Sequence, residues 1–264
     1  MLQWAWLKDA DLSPLWHGRR DAPDLRFDIL TQPQALSKAI SNSDVILCLA
    51  GSTPATGGDM QDNSRIATAV LAACGQRPVL FASSAAVYGV PRGLCREEDD
   101  PAPLSEYGQA KQDMEQAVLA SGRRAICLRI GNVAGADQVL GQVAEGGPAV
   151  TLDRFADGRT PRRSYVGPAT LGRIIHALCR RAARGDDLPG ILNVAAPGAV
   201  EMGDLLDAVP HPWSPRPAPS SAIADVTLCT ERLASLVPLD DRAGKPDTLV
   251  SEWRHYMAHA RAAA

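Results

Sequence analysis

Pro78-Val79-Leu80-Phe81-Ala82-Ser83-Ser84-Ala85-Ala86-Val87-Tyr88-Gly89 is an apolar run that breaks into two serines and a turn. A continuous apolar strand, without polar alternation, is one buried on both faces, as in a parallel sheet covered by helices. Working outward, four more short runs read as strands: Leu15-Trp16-His17, Asp44 to Ala50 stopped by Gly51, Ala125 to Ile130 stopped by Gly131, and Ile191 to Val194. Helical patterns alternate with them. Pro33 to Ile40 follows Thr31 as a cap, and Asn63 to Cys74 carries Ile66, Val70 and Leu71 on one face. Tyr107 to Ala120 carries Met114, Ala117 and Val118, and Ala169 to Ala183 carries Leu171, Ile174, Ile175 and Leu178. The alternation predicts an α/β fold, a doubly wound parallel sheet with helices on both faces.

The last third changes character. Pro210, Pro212, Pro215, Pro217 and Pro219 crowd one stretch, and proline is excluded from helix interiors and central strands. Two short helices are expected after it, at about 230–236 and 247–260. The division expected is a main domain of residues 1–135 and 164–195, and a small substrate lobe of residues 136–163 and 196–264. The chain of 264 residues is 45% hydrophobic and 22% charged, with net charge −3, which gives no electrostatic reason to bind nucleic acid or anionic membranes. Six cysteines without a C-x-x-C pair read as buried free thiols in a reducing compartment. No signal peptide or run of about 18 apolar residues is visible, so a cytoplasmic location is expected. His17, His176, His211, His255 and His259 do not cluster, and no metal site is expected.

Ser105-Glu106-Tyr107-Gly108-Gln109-Ala110-Lys111 places Tyr107 and Lys111 four apart on a helix, so they share a face. A tyrosine that exchanges a proton near neutral pH must come down from its free value of about 10 towards 7, which corresponds to roughly 4 kcal/mol. A nearby ammonium and an oxidised nicotinamide both favour phenolate. Alone, Tyr-x-x-x-Lys is equally a surface pair. The Ser83-Ser84 turn adds weight, because ligands of open parallel sheets bind at the carboxyl ends of strands, where Ser84 falls.

At these residues the sequence resembles the extended short-chain dehydrogenase/reductase family, the NAD-dependent epimerase/dehydratase group. Ser83 to Gly89 is similar to that family's S-S-x-x-V-Y-G, and Leu128-Arg129-Ile130-Gly131-Asn132-Val133-Ala134-Gly135 to its L-R-x-x-N-V-x-G. Arg163-Ser164-Tyr165-Val166 resembles its R-D-F-V, and Ile191 to Val194 its Y-N-V strand. The resemblance covers roughly residues 15 to 205 and implies a Rossmann-like fold. It implies Tyr107 as general acid/base, Lys111 as the residue that holds the nicotinamide ribose and lowers the tyrosine pKa, and Ser84 as the hydroxyl that orients substrate. Asp28 and Ile29 correspond to the adenine-facing pair, and Leu49, Ala50 and Gly51 to the turn under the cofactor. Asn63, Ser83 and Val133 are further cofactor positions, and Ala85 and Asn132 face substrate. Arg163 corresponds to a residue facing a substrate phosphate, or equally forms a structural salt bridge. Arg19 and Arg20 follow the first strand candidate, where an acid would read the ribose of NAD and an arginine the 2′-phosphate of NADP, which tilts the cofactor choice from NAD towards NADP.

The family opens with a strand and a G-x-x-G-x-x-G loop, which sets backbone N–H groups against the pyrophosphate. The 264 residues contain no such loop, and Leu2 to Lys8 looks like the tail of the helix that would follow it. Either translation starts further upstream, adding one βα unit, or the chain binds dinucleotide poorly. On both readings a polypeptide starting at Met1 is expected to bind NAD(P) weakly. The resemblance implies hydride transfer at a hydroxyl/ketone carbon of a sugar-nucleotide-like substrate. A reductase of smaller carbonyl compounds competes, because the proline-rich lobe is short. A non-catalytic dinucleotide sensor is the alternative from another class. A small-molecule substrate and a homodimer are the expected partners.

Overall fold

The computed structural model describes residues 1–6, 11–18, 24–143 and 147–262. In chain order the elements are α1 (Leu2–Ala5), α2 (Pro33–Ile40), β1 (Ile46–Cys48), α3 (Asp62–Ala73), β2 (Val79–Ser84), β3 (Leu94–Cys95), α4 (Glu106–Ala120), β4 (Ala125–Ile130), β5 (Asn132–Val133) and β6 (Val150–Arg154). They continue with β7 (Arg162–Arg163), β8 (Tyr165–Val166), α5 (Pro168–Arg184), β9 (Ile191–Val194), β10 (Val200–Glu201), α6 (Met202–Ala208), β11 (Trp213–Pro217), β12 (Asp225–Leu228), α7 (Glu231–Leu236) and α8 (Pro246–Ala262).

The central sheet is parallel, in the order β1-β2-β4-β9. Its two faces are filled separately. Leu80, Ile126, Leu128 and Leu192 pack towards Leu171, Ile174, Ile175 and Leu178 of α5. Cys48, Val79, Phe81 and Cys127 pack towards Ile66, Val70 and Leu71 of α3 and Met114 and Val118 of α4. Helices on both faces explain why the strands read as unbroken apolar runs.

Three sequence expectations are corrected. Leu15-Trp16-His17 is not a strand: His17 makes one isolated parallel bridge to Leu25, and the Trp16 N–H donates to Asp24 instead. Thr31 does not cap α2, whose N-cap is Gln32, with Pro33 supplying the fixed first turn. The last helix is long rather than short, because Leu249, Val250 and Trp253 bury one face of α8 against Ala134, Leu140 and Leu205. The proline-rich stretch forms β11, which pairs in parallel with β6 in a two-stranded ribbon away from the central sheet.

Candidate active site

Strand β2 ends at Ser84, whose hydroxyl accepts the Ala86 N–H at 3.2 Å and so starts a single 3₁₀ turn over Ala85–Tyr88. Helix α4 starts beside this turn. Ser105 caps it by accepting the Gly108 N–H at 3.0 Å, which puts Tyr107 in the first turn. The close approach requires Gly108: a Cβ there would lie 2.6 Å from the Ala86 carbonyl oxygen. The result is a hydrogen bond between the Ser84 hydroxyl and the Tyr107 phenol. Lys111, one turn on, is buried and donates from Nζ to the Ala82 carbonyl at 2.8 Å, with Nζ 5.8 Å from the centre of the Tyr107 ring. Sequence therefore placed these three groups correctly relative to one another.

The electrostatics differ from the expectation that Lys111 lowers the tyrosine. Burial pushes the Tyr107 phenol above its ordinary value, and only the hydrogen bond from Ser84 opposes it. Burial likewise lowers Lys111, against the opposing influence of Cys48, Cys127 and Glu115. The chain by itself thus holds Tyr107 as a neutral phenol at neutral pH.

The nicotinamide end of a dinucleotide site fits the residues present. Asn63, at the start of α3, is buried and donates from Nδ2 to the Ser52 and Met60 carbonyls, which leaves Oδ1 buried without a partner. Gly51, just beyond β1, lies against that oxygen: a Cβ there would be 2.4 Å from Asn63 Oδ1 and 3.4 Å from Lys111 Nζ. An orphaned acceptor and an ammonium around one point suit a group bearing hydroxyls, such as a ribose. Leu49 and Ala50 are exposed at the same strand end. The pyrophosphate end has no G-x-x-G-x-x-G loop to fit.

The other named residues are distributed as follows. Asn132 and Val133 form β5, paired with Tyr165 and Val166 of β8, and the Asn132 amide hydrogen-bonds the Tyr165 phenol. Ala85 follows Ser84 directly, in the 3₁₀ turn. Arg163 forms no salt bridge of the kind weighed for it: its guanidinium donates to the carbonyls of Arg162, Ile223 and Ala224. The Asp28 carboxylate accepts the N–H groups of Leu30 and Thr31 in its own turn, and Ile29 packs beside the α2–α3 core. Arg19 and Arg20 lie outside the described residues.

Sequence reasoning missed a polar network beneath the site. Ser83, read as a cofactor residue, instead points inward and donates to Glu115 at 2.5 Å. Arg129 grips Glu115 through Nε and Nη2, the latter at 2.8 Å, and stacks 4.7 Å from the Tyr88 ring centre. Tyr88 donates to Asn193, whose N–H donates to Glu97. The available signal was Arg129 itself, a charge inside an apolar strand, which demands a buried partner.

A family model described as the NAD dependent epimerase/dehydratase family matches residues 13–194. UDP-glucose 4-epimerase of Azospirillum brasilense is 38% identical over 99 residues, covering 34% of this chain and 28% of that protein. The enzyme of the same name from Lactobacillus helveticus is 43% identical over 63 residues, 22% of this chain and 19% of that one. The matched stretches thus span less than a third of these curated relatives. Among solved structures, UDP-glucose 4-epimerase from Brucella ovis in complex with NAD aligns with a TM-score of 0.69 at 19% identity, covering 86% of this chain and 82% of that one. UDP-glucuronic acid 4-epimerase from Bacillus cereus in complex with UDP-glucuronic acid and NAD aligns with a TM-score of 0.66 at 18% identity, covering 88% and 81%. Fold, sheet order and a family match across most of its length lead to one assignment: the chain belongs to the NAD-dependent epimerase/dehydratase family.

Proposed function

We propose that this chain catalyses NAD-dependent hydride transfer at a hydroxyl-bearing carbon of a nucleotide sugar, as an epimerase or dehydratase. The observation that carries the reading is the meeting of Ser84, Tyr107 and Lys111 at the carboxyl end of β2. Family membership and the NAD held by both solved neighbours support it. The NADP preference read from Arg19 and Arg20 finds no support in those neighbours, so the cofactor proposed is NAD.

When bound, NAD supplies the hydride acceptor and a positively charged ring. Asn63 and Lys111 would hold its ribose beside Gly51, and Asp28 and Ile29 would meet its adenine. Tyr107 exchanges a proton with the substrate oxygen. A phenol held neutral by burial is ready to give that proton to a carbonyl oxygen, and needs added positive charge to take one. Ser84 donates a hydrogen bond to the same oxygen. Ala85, Asn132 and Val133 line the reacting end, and Arg163, fixed on backbone carbonyls, offers a cation towards the substrate's phosphates. Residues 136–163 and 196–264 would close over the sugar.

The test is interconversion of UDP-glucose and UDP-galactose with added NAD, comparing the parent with Tyr107→Phe. Loss of a general acid/base typically costs about 10²–10⁴ in rate. Undiminished turnover by Tyr107→Phe defeats the reading. The missing glycine-rich loop favours a non-catalytic dinucleotide sensor. In that case NAD binds and neither protein turns over.

A further inference from the structure

A buried ammonium needs a counter-charge, and the groups around Lys111 can be taken one by one. Its side chain faces Cys48 at the end of β1, Cys127 on β4, Asn63 on α3, and Tyr107 and Glu115 on its own helix. Asn63 carries no charge. Burial pushes Cys48 to about 11 and Cys127 to about 12, so both are neutral thiols at neutral pH. Tyr107 is a neutral phenol for the same reason. Of these facing groups, Glu115 remains as the anion.

Its placement is constrained from three sides. Tyr107, Lys111 and Glu115 are spaced four apart on α4 and share one face. The side chains of Glu115 and Arg129 are 3% and 1% exposed and paired at 2.8 Å, with a second contact through Arg129 Nε. Ser83, next to Ser84, donates to the same carboxylate at 2.5 Å. Arg129 and Ser83 together supply the hydrogen bonds that keep a carboxylate ionised in an interior.

We propose that Glu115 is a positioning residue for Lys111: locked by Arg129 and Ser83, its carboxylate keeps the buried amine charged and seated on the Ala82 carbonyl. Its catalytic consequence rests on the function proposed above, while its electrostatic content does not.

The test follows the four lysines, Lys8, Lys38, Lys111 and Lys245, by NMR of chain labelled at lysine Cε, with the Lys111 signal assigned through Lys111→Arg. In Glu115→Gln the Lys111 titration midpoint is expected to fall below the parental one. With NAD and nucleotide sugar, kcat is expected to drop at least about tenfold while KM stays within about twofold. Glu115→Gln strands a buried guanidinium and is at risk of not folding. Glu115→Gln combined with Arg129→Met removes both charges, and there too the midpoint is expected to fall, because Glu115 is the nearer of the two to Lys111. An unchanged Lys111 midpoint in either folded protein, whatever happens to its melting temperature, overturns the proposal and reduces the pair to packing. If the parent shows no turnover, the proposed function fails while the lysine titration still decides this inference.

Discussion

Gly108→Ala should damage catalysis much more than it damages folding. Two opposing terms bear on stability. Alanine is favoured over glycine inside a helix by about 1 kcal/mol. Against this, the new Cβ would lie 2.6 Å from the Ala86 carbonyl oxygen and 2.9 Å from Pro103 Cβ. An ordinary carbon–oxygen contact is about 3.3 Å, so α4 and the Ala85–Tyr88 turn must separate by about 0.7 Å. Overpacking of this kind costs about 1–3 kcal/mol, which leaves a net loss of about 0–2 kcal/mol. The displacement, however, acts on the Ser84–Tyr107 hydrogen bond, because Ala86 is held to the Ser84 hydroxyl and Gly108 adjoins Tyr107. Misplacing reacting groups by about 1 Å can cost about 10² in rate, so a fall of about 10–100-fold in kcat is expected. Paired urea unfolding and UDP-sugar turnover measure both quantities on one preparation. A Gly108→Ala protein with kcat within about twofold of the parent would refute the claim that this approach sets the site.

Three further outcomes are expected. Arg129→Met alone strands the buried Glu115 and should cost about 3–5 kcal/mol, lowering Tm by about 6–10 °C for a chain of this size in scanning calorimetry. Gly51→Ala drives a methyl group against Asn63 Oδ1, so calorimetric titration should show NAD affinity reduced at least about tenfold with Tm held within about 2 °C. Cys48 and Cys127 hold their protons more tightly folded than unfolded. Their contribution is therefore complete below pH 9 and is lost as pH climbs towards about 11 and about 12. Urea midpoints should decline from pH 9 to 10.5, less steeply in Cys127→Ala; equal slopes would count against the burial argument.

The sheet was legible because its central strands carry their own punctuation. Val79–Ser84 runs into serines, Ala125–Ile130 ends at Gly131, and each needs both faces covered. Leu15-Trp16-His17 misled because an apolar triplet does not specify a partner, and a strand exists only through its ladder. Tyr107 and Lys111 were legible through helical spacing. Glu115, Arg129, Asn193 and Glu97 were not assembled, since a network drawn from four distant segments has no local period. The direction of the Tyr107 shift was also out of reach, because burial is a property of the packed turn and not of the Tyr-x-x-x-Lys pattern.

The prolines of β11 have a consequence for how the molecule meets its own copies. Ala218 sends its N–H to Arg154 on β6, so in β11 the amide groups of alternate residues 214 and 216 face the same way. Pro215 and Pro217 therefore fall where an N–H would point outward, and proline has none. The ribbon's outer rim lacks the donors another strand would need to add itself. The stretch that looks least like regular structure thus acts as a built-in stop against edge-to-edge growth.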